Sequence, residues 1–292
     1  MNHQPPTTSH EPRNMSKRHI VCLTFDFDAI SGFISRGQTS PSWISRGEFG
    51  PRVGMPRLLA LFEKYGIRTT WFIPGHTIET YRKACERVVK AGHEIAHHGW
   101  THRPPAELTR EEEEAELVRA NEQIRKLTGR KARGYRSPSW DLSPHSVKLM
   151  LKHGFVYDSS LMGDDYQPYY CRQGDRIELL KPAKFGKETK LVEMPIQWCV
   201  DDSPHFEFVR TATTIRQGLM NANAVLENWV DDYLYMKHNT DWGVLTYTCH
   251  PFIIGRGHRM MMLEKLIRAC LDNGAVFMAM EEAVAEFKAR KA

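Results

Sequence analysis

The residues able to do chemistry in this 292-residue chain gather in a few short stretches. Asp26 and Asp28 lie two apart at the end of an apolar run, Val21-Cys22-Leu23-Thr24-Phe25-Asp26-Phe27-Asp28. Side chains on a strand alternate faces, so Thr24, Asp26 and Asp28 point one way and Leu23, Phe25 and Phe27 the other. Two acids on one face of a buried-looking strand need a bound cation or a shared proton to offset their repulsion. The pair points to metal-assisted acid–base chemistry.

The stretch from Gly92 to His102 holds four of the 14 histidines. His98 and His102 are four apart, and this spacing predicts both imidazoles on one face of a helical turn, a common way to offer one metal two nitrogen ligands. His93 and His97 share the spacing but fall in an expected strand. Such pairs also occur on ordinary surfaces, so the spacing gains weight only beside the aspartates. Asp28, His98 and His102 make a one-carboxylate, two-histidine set with open coordination positions. It suits a catalytic Zn²⁺, and also Mn²⁺, Co²⁺ or Fe²⁺.

His250 ends the apolar run Leu245–Cys249 and precedes Pro251. A histidine there is either a core residue or a general acid, since imidazole donates protons best near neutral pH. Asp201 is expected to hold that imidazole in one tautomer. Arg136 is expected to pair with Asp26, with an ordinary surface cation as the plain alternative. Trp43, Trp140 and Trp198 are candidates for the substrate pocket, and core packing is the alternative for the last two.

These residues need elements that bring them together. An amphipathic helix, a Gly and an apolar strand recur at Leu58–Tyr65, Gly66, Ile67–Ile73; at Arg82–Ala91, Gly92, His93–Ala96; at Ser146–His153, Gly154, Phe155–Asp158; and at Leu263–Asn273, Gly274, Ala275–Met280. Gly just past a helix supplies the left-handed cap that turns the chain. Four such joints imply βα alternation and a parallel sheet. Further strands are expected at Ala132–Arg136, Leu191–Cys199 and Gly243–Cys249. The expected fold is an α/β distorted (β/α) barrel with about seven parallel strands, whose chemistry lies at the C-terminal strand ends. Asp26, Asp28, His98, Arg136, Asp201 and His250 all fall at such ends. Ala29–Val53 and Gly163–Lys190 read as long loops, either active-site covers or oligomer contacts.

The bulk properties are those of a globular protein, with 41% hydrophobic and 26% charged residues and a net charge of +5. No Lys/Arg block suggests nucleic acid, and no apolar stretch is long enough to span a membrane. Six cysteines without a C-x-x-C pair read as reduced thiols. Residues 1–18 read as a disordered tail lacking the apolar core of a secretory signal, with Met15 as an alternative start. Residues 19–292 read as one catalytic domain, with a cytoplasmic location by default.

Thr24-Phe25-Asp26-Phe27-Asp28-Ala29, His98-Gly99-Trp100-Thr101-His102, Arg136-Ser137-Pro138-Ser139-Trp140, the segment Pro195–Asp202 and Thr248-Cys249-His250-Pro251 fall in the order of motifs of the polysaccharide deacetylase (NodB-like) superfamily. The chain resembles that family over residues 19–287. The resemblance implies that Asp28, His98 and His102 bind a divalent metal, commonly zinc. It implies that Asp26 is the general base, steered by Arg136, and that His250 is the acid, oriented by Asp201.

Secreted glycan deacetylases usually carry adjacent aspartates, whereas Phe27 separates them here and Ala29 stands where a Gly is usual. With Ile44-Ser45-Arg46-Gly47, Trp71-Phe72-Ile73-Pro74-Gly75 and Tyr157-Asp158-Ser159-Ser160-Leu161-Met162, this makes the chain more similar to the intracellular branch of cyclic imidases, allantoinase-like amidohydrolases and peptidoglycan-deacetylase-like proteins. The resemblance then implies hydrolysis of a non-peptide C–N bond in a small cyclic imide or amide, with N-deacetylation of acetylated amino sugars as the alternative, and a homotetramer.

Overall fold

The structure, a computed structural model, describes residues 17–211, 213 and 215–291. The possible start at Met15 and most of the expected tail lie outside these residues. The first strand begins at Arg18, one residue inside the span read as tail.

The strands are β1 (Arg18–Asp26), β2 (Thr70–Ile73), β3 (Glu94–His97), β4 (Gly134–Tyr135), β5 (Tyr157–Asp158), β6 (Tyr169–Gln173), β7 (Lys187–Glu193), β8 (Val209–Arg210), β9 (Ile215–Arg216), β10 (Trp242–Cys249) and β11 (Val276–Phe277). The main sheet runs β10-β1-β2-β3-β4-β5-β7-β6, and β11 also pairs with β1. All pairings are parallel except β6 with β7, so seven parallel strands follow one another along this curled half-barrel. The expected α/β (β/α) barrel architecture is observed.

Each helix–Gly–strand joint is present. Gly66, Gly92, Gly154 and Gly274 all have positive φ, between 63° and 82°. That left-handed conformation costs a residue with a Cβ more than it costs Gly.

β1 is buried from His19 to Asp26, as a central parallel strand must be when both sheet faces are covered. Behind the aspartates, Phe25 stacks on Trp71 at 4.9 Å and meets Phe62 at 5.1 Å. Such aromatic pairs contribute about 1 kcal/mol each beyond their buried area. They anchor the inner face of β1 and leave the opposite face to carry Thr24, Asp26 and Asp28.

Several expectations are corrected. The Ala29–Val53 segment is largely helical, with helices at Ser31–Ile34 and Pro41–Phe49 and a π-turn at Gly50–Gly54. Pro41 at the first helical position is a start signal that the loop reading passed over. The Gly163–Lys190 segment contains β6 and the start of β7, an antiparallel ribbon. The strand expected to reach Cys199 ends at Glu193; a 3₁₀ turn at Trp198–Val200 follows. Five cysteines are buried, Cys199 is exposed, and all six are free.

Candidate active site

The C-terminal ends of β1, β3, β4 and β10 converge on one cavity of about 160 Å³. Asp28 lies two residues beyond β1, in a turn fastened at its carbonyl. That oxygen accepts hydrogen bonds from Ser31 Oγ (2.7 Å), Thr77 Oγ1 (2.7 Å) and the Ser31 amide (2.9 Å).

His98 directly follows β3. Its Nδ1–H donates to the Arg136 carbonyl at 2.8 Å, which fixes the tautomer and leaves Nε2 with a free lone pair. His98 Nε2 is 3.5 Å from Asp28 Oδ1, and His102 Nε2 is 3.4 Å from Asp28 Oδ2. Bonds of about 2.1 Å around a tetrahedral zinc imply ligand–ligand edges of about 3.4 Å, so the donor set fits a divalent ion. Asp28 Oδ1 and His98 Nε2 are buried without a hydrogen-bond partner, as ligand atoms are when their metal is left out. Burial depresses both imidazoles, that of His102 to about 4, which keeps them neutral and able to ligate.

The two histidines do not share a helical turn, as their spacing had suggested. The chain between them is irregular, with Gly99 at φ 67° and His102 at φ 62°. Of the five non-glycine residues with positive φ among those described, Ala29, His102, Ser139 and Trp140 border this site. Strained backbone concentrates where geometry is over-determined for function. His93 and His97 take no part. The His93 ring bonds to Thr69, and His97 sits between the Leu117 carbonyl and the Gly99 amide.

Arg136 is fully buried rather than a surface cation. Its guanidinium donates to Asp26 Oδ1 and Thr24 Oγ1, both at 2.8 Å, and to the Ser159 carbonyl and hydroxyl. The Phe72 ring lies 4.1 Å beneath it. A buried cation requires such full pairing. Burial alone pushes the Asp26 carboxyl up, but Arg136, with His98 and His250, outweighs this and holds it below the usual carboxylate range.

His250 enters from the end of β10. The backbone of Pro251, the next residue, presses close to Gly54, where an added Cβ would lie 2.0 Å from the Pro251 carbonyl oxygen. The imidazole Nδ1 bonds to Asp202 Oδ1 at 2.7 Å, and the His250 amide donates to Asp202 Oδ2 at 2.9 Å. Asp201 stands 3.7 Å from Nδ1 and accepts from the Ser203 amide instead. The expectation that Asp201 holds the imidazole is therefore corrected: Asp202 does. The 3₁₀ turn before these two residues sets which carboxylate faces β10, and a strand reading of the segment could not foresee it. Burial alone would lower the His250 pKa; the Asp202 and Asp201 carboxylates outweigh burial and hold it well above the ordinary imidazole range. Asp201 is pushed up to about 8, chiefly by burial, with Asp202 adding to it. Nε2 faces the metal-ligating set, 3.9 Å from Asp28 Oδ2.

Trp140 and Trp198 form one cavity wall, their rings stacked 4.0 Å apart at 25°. Trp43 is not in the lining. It packs behind Phe33, whose ring is 5.7 Å away and does line the cavity. Thr24, Ser31, Thr77, Ser159 and Asp202 are site residues that the sequence reading missed. Asp202 lay beside a named candidate; Thr24 and Ser159 lie within the quoted motifs but were given no role, and Ser31 and Thr77 carry no motif signal.

A relative from Helicobacter pylori named "Peptidoglycan deacetylase" is 39% identical over 265 residues, covering 87% of this chain and 90% of that protein. The chain belongs to the polysaccharide deacetylase family. The family profile matches residues 14–157. A "Peptidoglycan deacetylase-like protein" from Gibberella zeae is 30% identical, with 93% of this chain and 87% of that protein covered. Among solved structures, a polysaccharide deacetylase homologue from Mycobacterium smegmatis superposes with a TM-score of 0.83 at 29% identity, covering 99% of this chain and 96% of the other. An allantoinase superposes at 0.72 with 20% identity, covering 98% and 94%, and shows the common fold alone. The family's deacetylases are metalloenzymes that cleave C–N bonds. Among the described residues of this chain, no helix is long and apolar enough to cross a membrane.

Proposed function

We infer that the chain hydrolyses a non-peptide C–N bond in a small cyclic imide or amide. The cavity above Asp28, His98 and His102 carries this reading. At about 160 Å³ it has room for a single benzene-sized ring.

Asp28, His98 and His102 hold the metal. A divalent ion bound there supplies Lewis-acid polarisation of the carbonyl and lowers the pKa of water. Zinc is the first candidate from the donor set. Asp26, kept ionised by Arg136, takes the proton of the attacking water. Arg136, saturated by Asp26, Thr24 and Ser159, fixes the direction of that carboxylate. His250, charged through Asp202, protonates the leaving nitrogen from Nε2. The stacked Trp140 and Trp198 give the ring a flat wall.

N-deacetylation of an acetylated amino sugar is the second reading. Trp198 favours it: the ring is 45% exposed on the cavity rim, as an aromatic platform for a sugar is. The Helicobacter pylori relative's name also supports it. The metal-loaded protein is to be assayed on succinimide, hydantoin, allantoin and N-acetylglucosamine oligomers. A kcat/KM for one of the rings at least 10 times that for the oligomers supports the first reading, and the reverse order supports the second.

A further inference from the structure

We propose that the rim of the active-site cavity is a carboxylate subsite anchored by Arg36, and that the substrate carries an anionic group beside its scissile C–N bond. The proposal deepens the hydrolase reading above and rests on it for the identity of the reacting bond.

One side of the cavity is rich in arginine. Arg36 and Arg216 line it, and Arg46 stands behind Phe33 on the same side. The nearby acid is Glu207, which is already shared: Arg216 approaches it at 3.0 Å and Arg46 at 3.8 Å. Arg36 has no carboxylate within 4.0 Å among the described residues. Among the described residues its guanidinium makes one hydrogen bond, a long one of 3.4 Å from Nε to Gln38 Oε1. The guanidinium also lies 5.3 Å from the Phe33 ring, an apolar support that does not neutralise its charge.

The catalytic floor does not use this cation. Asp26 is paired with Arg136 and His250 with Asp202. Asp28 is committed to His98 and His102. Arg36 nevertheless lines the same small cavity as Asp28 and His102. A group held by Arg36 therefore sits within one small molecule's span of the reacting carbon.

The occupant follows from the chemistry. A guanidinium with free N–H donors matches a planar carboxylate in a two-pronged geometry. A neutral ligand would leave the Arg36 charge without a carboxylate partner. Since Arg36 is exposed, replacing it leaves the packed core alone.

The test uses two pairs of compounds that differ by a carboxylate-bearing group: dihydrouracil with dihydroorotate, and N-acetylglucosamine with N-acetylmuramic acid, its 3-O-lactyl ether. The kcat/KM values are measured for the metal-loaded wild type, Arg36→Lys and Arg36→Gln. Binding of all four is measured by calorimetry to the Asp26→Asn protein with and without Arg36→Gln. The wild type is expected to prefer the carboxylate-bearing member of the productive pair at least 10-fold. Arg36→Gln should erase that preference and Arg36→Lys keep part of it. Equal loss on both members of a pair, or carboxylate binding that ignores Arg36→Gln, overturns the subsite. Arg36-dependent binding without any turnover by the wild type upholds the subsite and removes the hydrolase reading instead.

Discussion

The Arg136 guanidinium donates a 2.8 Å hydrogen bond to the Asp26 carboxylate, and both side chains are closed to solvent. This pair separates two acids that would otherwise repel. Asp26 has its own cation, so Asp28 is free to serve the metal.

Removing that cation should unbalance Asp26. In Arg136→Met, burial loses its largest opponent and the Asp26 pKa rises. The acid limb of the kcat/KM profile then moves to higher pH, and the rate near neutrality falls by roughly 10²-fold, the usual scale for a general base. Arg136→Lys should shift the limb less. A pH–rate profile checks both; an unmoved limb in Arg136→Met tells against this role for Asp26.

Asp202 and Asp201 should behave differently despite being adjacent. Asp202 holds the His250 imidazole in its charged form, so Asp202→Asn lowers the His250 pKa. The alkaline limb of the profile then moves to lower pH. Asp201→Asn should move it less, because Asp201 stands 3.7 Å from the ring nitrogen and is not hydrogen-bonded to it. The same profile decides; equal shifts in the two variants contradict the assignment of the imidazole to Asp202.

His97 makes stability depend on pH. Burial depresses its imidazole to about 3 in the folded protein, against an ordinary 6.5. Between these values the unfolded chain binds a proton that the folded one does not, so stability falls as pH falls from 6.5 towards 3. Between pH 7 and 5 this contributes about 2 kcal/mol of lost stability. Urea unfolding of the wild type and His97→Gln at both values tests it: the variant should lose about that much less on acidification.

Much of this was legible in the sequence because it depends on local rules. The period of two in β1 put Asp26 and Asp28 on one face, and the Gly caps marked four βα joints. Arg136 was placed against Asp26 from its position at a strand end. What was not legible depends on tertiary geometry. His98 and His102 come together through a left-handed turn, not a helix, and spacing alone does not distinguish the two. Asp202 displaced Asp201 because a one-turn 3₁₀ segment rotates the chain before β10. Trp43 was read as a pocket residue, but the helix carrying it turns the ring onto Phe33, outside the cavity.

Trp198 separates the two substrate readings. Its exposed ring should matter more to a sugar lying across the rim than to a small ring inside. Trp198→Ala is expected to raise KM for N-acetylglucosamine oligomers at least about threefold more than KM for succinimide, since a base- or sugar-sized stack contributes on the order of 1 kcal/mol. Steady-state kinetics on both substrates checks it, and a larger effect on succinimide contradicts the rim position.

The central division of labour lies between Asp28 and Asp26. Zinc content after dialysis, measured together with turnover, tests it most directly in Asp28→Ala and Asp26→Ala. Asp28→Ala should lose its metal. Asp26→Ala should retain about one ion per chain, as a three-ligand site does, yet lose turnover. Retention of both metal and activity in the two variants, or loss of metal from Asp26→Ala alone, would contradict the assignment.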